Sequence, residues 1–252
     1  MSNLWRTDLT ANSRSFLEFQ DSLKIVEELL RIEGRYRDPP KPNRLDVVRG
    51  LRGGSSVLMV GLFESYLRRL FEEHLSELNK YSWSIPFNKL PFAMQKASVY
   101  NSLELSLKPP KYLRKGNKLD ELNEVTMICQ LIASGKIVSK GFSNTRNNPN
   151  SELVKEMFKN MGIDEIFNKI EKDFIIQWGG PTSPSLISAK LDEIVGRRHK
   201  IAHGQILNIA RKDLWESIKF LRALSLAMDN CMGSCITDII ILNNPEYLLH
   251  FI

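Results

Sequence analysis

Leu62-Phe63-Glu64-Ser65-Tyr66-Leu67-Arg68-Arg69-Leu70-Phe71-Glu72-Glu73-His74-Leu75 is the stretch that sets the fold class of this chain. Leu62, Phe63, Tyr66, Leu67, Leu70, Phe71 and Leu75 recur in steps of three and four, so they share one wide face of a helix. Glu64, Arg68, Arg69, Glu72 and Glu73 lie mostly away from that face. The pattern predicts a long helix over residues 55–79 whose apolar side is buried against other helices.

Working outward, the same period returns. Phe16, Leu17, Leu23, Ile25, Val26, Leu29 and Leu30 predict a helix over 13–33, stopped by Gly34 and by Asp38-Pro39-Pro40-Lys41-Pro42. Trp83 to Pro91 reads as a connector. Helical pattern resumes over 92–106, breaks at Pro109-Pro110 and resumes over 119–133. Residues 140–151 form a polar loop, after which Asn150 or Ser151 caps a helix running through Phe158. A further helix starts near Ser185, past Gly179-Gly180-Pro181. Asp213-Leu214-Trp215-Glu216 resembles a capping box opening a last helix, Leu214 to Cys235. There is no hairpin signal, no βαβ pattern and no internal repeat. The expected fold is all-α and one domain over 1–252, with a bundle core about 45–82 and 183–237 and a helical insertion about 83–182.

The chain has 252 residues and 29.0 kDa, enough to bury a substantial core. Hydrophobic (42%) and charged (25%) shares lie near globular averages, which argues against a disordered or membrane-spanning class. The N-terminal residues carry no apolar run suited to a signal peptide. Cys129, Cys231 and Cys235 have no metal-motif or disulfide-framework spacing, and Cys231 and Cys235 read as small core groups. The cytoplasm is the expected compartment. A net charge of +6 permits nucleic-acid binding without demanding it. Lys108, Lys111, Arg114, Lys115 and Lys118, with Tyr112 among them, suit either a solvated loop or a backbone-tracking one. Arg35, Arg37, Lys41 and Arg44 form a second basic cluster, partly offset by Asp38.

Chemistry concentrates in Arg197-Arg198-His199-Lys200-Ile201-Ala202-His203-Gly204. An imidazole moves protons at neutral pH, and a guanidinium holds a phosphate bidentately as charge builds on it. Together they need no metal and no other cofactor to cleave RNA. Ile187, Leu191, Ile194 and Val195 mark the buried face of this helix, and Arg198 continues it while Arg197 falls off it. A guanidinium on that stripe needs an anion, a partner chain or a cavity. His203 stands about 140° around an ideal helix from Arg198. The two therefore meet where Gly204 unwinds the last turn, or each meets the copy from a second subunit, the preferred arrangement. The competing reading is a helix C-terminus decorated with cations that complement its dipole. His199 and His203 also make half of a zinc site, for which the flanking residues offer no third ligand.

This octapeptide resembles the signature of the HEPN superfamily: an Arg, a polar residue that is often Asn, Asp or His, a short gap, then His. More of the chain is similar to its RiboL-PSP-HEPN branch. Arg49-Gly50, Arg52-Gly53-Gly54 and Val57-Leu58-Met59-Val60 run into Phe63-Glu64-Ser65-Tyr66-Leu67, like that branch's early helix. Phe142-Ser143-Asn144, Asn148-Pro149 and Met161-Gly162-Ile163 resemble its middle connector and the helix after it. The resemblance spans most of residues 45–230.

It implies an all-helical, HEPN-like bundle that pairs two Arg/His motifs in a homodimer cleft and cuts RNA without metal. Arg198 would be the phosphate and transition-state cation, with Arg197 the second choice. His203 would be the general acid/base, His199 the polar residue orienting the site, and Glu64 an acid on the early helix holding a cation in place. Lys190, Arg197, Arg198, Lys200, Arg211 and Lys212 surround the motif, and Arg197, Lys200, Arg211 and Lys212 are the expected RNA contacts. Family roles in toxin–antitoxin pairs and phage defence imply an antitoxin or regulatory protein as partner. The rivals are a HEPN-like module that binds RNA or a nucleotide without cutting it, and an adaptor whose motif helix is only an interface.

Overall fold

Ser13 caps the first helix, α1 (Arg14–Glu33), through its hydroxyl, which accepts from the Phe16 N–H. Two carboxylates from distant elements take the neighbouring donors. Asp229 accepts from the Ser13 N–H (2.9 Å), and Glu73 accepts from those of Arg14 and Ser15 (2.8 Å each). Acids at this position complement the helix dipole while satisfying its orphan N–H groups. The computed structural model describes residues 12–82, 84–109, 117–146, 148–205 and 208–243, among which it has helices and turns but no strand. Trp83 and the basic residues Lys111, Arg114 and Lys115, with Tyr112, lie outside the described residues.

The second helix, α2 (Leu45–Lys80), starts ten residues before the expected boundary at 55. It runs through Gly50, Gly53 and Gly54, each costing about 1 kcal/mol relative to alanine in a helix. Tertiary ties outweigh that propensity: Val48 is buried, and Arg49 and Arg52 bond to a distant loop. The helix spans about 54 Å and underlies most of the molecule. Glu64, read from the wheel as pointing away from the core, is buried as well.

The segment 92–107 is helical, with a π turn (Ala97–Asn101) between α3 (Phe92–Lys96) and α4 (Ser102–Leu107). Gly141 crosses this turn so closely that an added Cβ would lie 2.0 Å from the Ala97 carbonyl oxygen. Next come α5 (Lys118–Ala133) and α6 (Ser151–Lys159), the latter capped by Asn150, whose side chain accepts from the Leu153 N–H. The sequence reading has no counterpart for α7 (Ile166–Trp178). Its inward residues Ile166, Phe167, Ile170 and Phe174 do recur at helical spacing, so the signal was present between two breakers.

The motif helix, α8 (Pro184–Ala202), has Ser183 as its cap and proline at its first position. The last helix, α9 (Arg211–Asn243), opens two residues before Asp213 and runs eight past Cys235, so Asp213 sits in its first turn instead of capping it. α1 packs on α2, and α2 packs on α8 and α9. α7 lies against both α8 and α9, so the central bundle has two more members than the three helices expected. One continuous buried cluster draws on all of these helices. It includes edge-on pairs Phe71–Phe158 (centroids 5.2 Å) and Phe174–Phe220 (5.4 Å). By length and composition α9 is apolar enough to cross a membrane, yet 61% of its most apolar window is buried among the other helices. Within its final apolar run Ile239 and Ile240 join the core, while Leu242 faces outward.

Candidate active site

α8 ends in a left-handed turn. The Gly204 N–H donates to the Ile201 carbonyl (2.9 Å) and the Gln205 N–H to that of Lys200 (3.0 Å), with Gly204 at φ +80°. This pair of bonds is a Schellman motif, and it makes His203 the helix cap. The last turn therefore stays helical through Ala202, and unwinding begins only after His203. His203 and His199 are both exposed and stand in ring contact, centroids 4.3 Å apart and planes at 61°. The i,i+4 spacing alone brings them together.

Arg198 is half-buried, its Nε out of contact with solvent, as its place on the apolar stripe of Ile187, Leu191, Ile194 and Val195 requires. Arg197 is drawn in too. Its Nη2 donates to the Ser217 hydroxyl of α9 (2.7 Å) and lies 3.6 Å from Glu193, leaving its side chain 14% exposed. Its Nε and Nη1 are buried and find no hydrogen-bond partner among the described residues. Two such donors cost stability unless an acceptor reaches them. Expected as a surface RNA contact, Arg197 is instead a tether between α8 and α9. A flank position on the wheel hid this, because a long side chain can reach back to a neighbouring helix.

The other expected residues divide. Lys200 is exposed beside the histidines, and Lys212 is exposed with Glu216 at 3.6 Å. Arg211 is not a free surface cation. Its Nε pairs with Glu33 Oε2 (2.5 Å) and its Nη2 donates to the Tyr36 carbonyl (2.9 Å), and the paired carboxylate pushes its pKa above the ordinary arginine range. Gly53 of α2 faces Ile201, and Glu64 lies about 16 Å from Gly53 along the helix axis. There Glu64 accepts from the Thr145 hydroxyl (2.7 Å) and pairs with Arg68 (3.3 Å), so the cation it holds is not one from the motif.

Sequence reasoning missed Glu33, which is wholly buried. The signal existed: Glu33 continues the stripe Leu23, Val26, Leu30, and an acid on an apolar stripe needs a cation. Two concavities of about 460 and 510 Å³ lie over α6 and its approaches, sharing Arg146 and Glu156, and no motif residue lines either. On the single chain His199, Lys200 and His203 are exposed, while Arg197 and Arg198 are half-buried.

An all-helical fold, as found among the described residues, is that of HEPN domains. The chain belongs to the RiboL-PSP-HEPN family, whose model matches residues 20–234. That membership gives it an RNA-related, nuclease character in general terms, since HEPN proteins are often ribonucleases. No curated protein and no solved structure matches the chain.

Proposed function

We propose that the protein is a metal-independent endoribonuclease whose cleft is completed by a second copy of the chain. The observation that carries this reading is the end of α8, where exposed, touching imidazoles follow one and five residues after the half-buried Arg198. A ribose 2′-hydroxyl gives up its proton to His203 and attacks the adjacent phosphorus. The O2′–P bond forms, the P–O5′ bond breaks, and an imidazolium returns a proton to the departing 5′-oxygen. Arg198 balances the charge that builds on the phosphoryl oxygens, and His199 orients its neighbour. The products carry a 2′,3′-cyclic phosphate and a 5′-hydroxyl.

One feature supports a dimeric site: His199, Lys200 and His203 stand exposed on a single chain, and a second copy laid over them would exclude water, which strengthens charge stabilisation in a reacting site. Toxin–antitoxin or antiviral roles in the cytoplasm, with a neutralising partner protein, fit an activity that would harm its host if unrestrained.

Purified protein is incubated with total RNA in EDTA beside His203→Ala and Arg198→Ala, and fragment ends are analysed. Cleavage ending in cyclic phosphate, absent from both variants while the oligomeric state is kept, is the expected result. Full activity in both variants would sink the assignment. Intact RNA that the wild-type protein retards in a gel would establish the binding module instead.

A further inference from the structure

Ile201, Asn208 and Ile209 meet one face of α2. Arg49 Nε donates to the Asn208 side-chain oxygen (3.3 Å), Arg52 Nη1 donates to the Ile209 carbonyl (2.9 Å), and Gly53 faces Ile201, whose Cγ2 lies 3.6 Å from where a Cβ would stand. Arg52 is itself immobilised, with an 11% exposed side chain. Its Nε donates to Glu33 Oε1 (2.8 Å), and its Nη2 lies at ion-pair distance from Glu33 (2.7 Å) and Asp38 (3.1 Å). The second oxygen of Glu33 takes Arg211, the first residue of α9. Two guanidinium groups and two carboxylates thus balance where α1 ends, α2 passes and α9 begins.

A buried ion cluster is a poor stabiliser compared with an apolar plug of the same volume. What it provides is direction. Arg52 has a fixed fork of donors, so holding Glu33 with one edge aims the other at a single carbonyl. The His203 side chain is exposed, and among the described residues its ring contact is with the exposed His199. The Schellman bonds order the backbone from 199 to 205, and the far end of the loop is held at Asn208 and Ile209. On the near side Ile201 packs on the core, so the His203 turn lies between that contact and the anchor at Asn208 and Ile209.

We propose that Arg52, locked by Glu33 and Arg211, is a positioning residue that sets the His203 turn through its hydrogen bond to the Ile209 carbonyl. This rests on the nuclease reading above, and the experiment separates the two. Arg52→Lys keeps the charge but lacks the fork, and Glu33→Gln keeps the shape but frees the fork. In both full-length variants, amide exchange at Gly204 and Gln205 is followed by NMR, alongside RNA cleavage. Expected is about ten-fold or greater acceleration at these two amides, with core amides of α2 such as Phe63 and Leu67 moving less than about three-fold. The kcat should fall by about ten-fold or more while KM stays within about two-fold, the mark of misplaced chemistry and not of lost binding.

Exchange at Gly204 and Gln205 that is unchanged, or that rises only in step with the core, overturns the proposal. So does loosened exchange with unaltered kcat. If the wild-type chain cuts no RNA, the nuclease reading fails and takes the catalytic consequence with it. The exchange result still decides whether Arg52 holds the turn.

Discussion

Alanine at Gly204 and alanine at Gly196 should move stability in opposite directions, although both glycines belong to one helix and its cap. A Cβ at either position meets nothing within 4 Å, so crowding drops out of the comparison and only backbone conformation remains. Gly204 has φ +80°, where an L-residue costs about 1–2 kcal/mol. Part of that cost, about 0.4–1 kcal/mol, is offset because alanine stiffens the unfolded chain. The net loss is about 1 kcal/mol. Gly196 sits inside α8, where alanine is favoured over glycine by about 0.5–1 kcal/mol. The two variants should therefore differ by roughly 2 kcal/mol, or about 4–8 °C in Tm for a chain of this size. Urea unfolding followed by far-ultraviolet circular dichroism reads the difference directly, provided the slopes agree. Gly204→Asn should recover part of the loss, since asparagine tolerates the left-handed region. Shifts of equal sign, or a Gly204→Ala protein within about 0.3 kcal/mol of wild type, would refute the left-handed cap and with it the placement of His203.

Other consequences can be checked with the same protein. Phe71→Ala removes a wholly buried ring packed edge-on to Phe158 and should cost about 3–5 kcal/mol in urea melts. A cost below about 1 kcal/mol would mean that this part of the core is not packed as described. Burial lifts the Cys231 thiol to about 11 and raises Cys235 as well, whereas Cys129 is exposed. At pH 8 about one Cys231 in a thousand is then thiolate, so a thiol reagent should label one cysteine rapidly and three only after unfolding. Because the folded state keeps a proton that the unfolded chain releases near pH 9, stability should fall as pH rises from about 9 to 11. A urea midpoint unchanged over that interval would contradict the burial. Glu64→Gln retains an acceptor for Thr145, so it should cost about 1 kcal/mol and leave RNA cleavage within about two-fold of wild type. Loss of cleavage to the level of His203→Ala would return Glu64 to the site.

Helix periodicity alone exposed the all-α class, because faces such as Leu62 to Leu75 repeat over many turns. Helix ends were less legible. The start of α2 runs against glycine propensity and is held by contacts with residues 208 and 209, which no local window contains. At the site, the Gly204 cap and the inward Arg198 followed from spacing, since both depend on residues within one or two turns. The fates of Arg197, Arg211 and Glu64 depended on Ser217, Glu33 and Thr145, between 20 and 178 residues away in sequence. A wheel shows which way a side chain leaves its helix, but not whether an anion waits there.

The bond between the Ser13 N–H and Asp229 joins residues 216 apart in sequence, and it bears on the order in which the protein is made. At bacterial or eukaryotic synthesis rates, roughly 10–40 s separate the two residues as the chain emerges. During that interval α1 and α2 can pair as neighbours, but the side of that pair meant for α9 has nothing to cover it. α8 is in the same position, because the Ser217 that tethers Arg197 is translated after it. On the nuclease reading, the cutting surface takes shape only after α9 has been synthesised. A truncated product from a broken message would then be an exposed, unfolded chain for proteases and not an active enzyme.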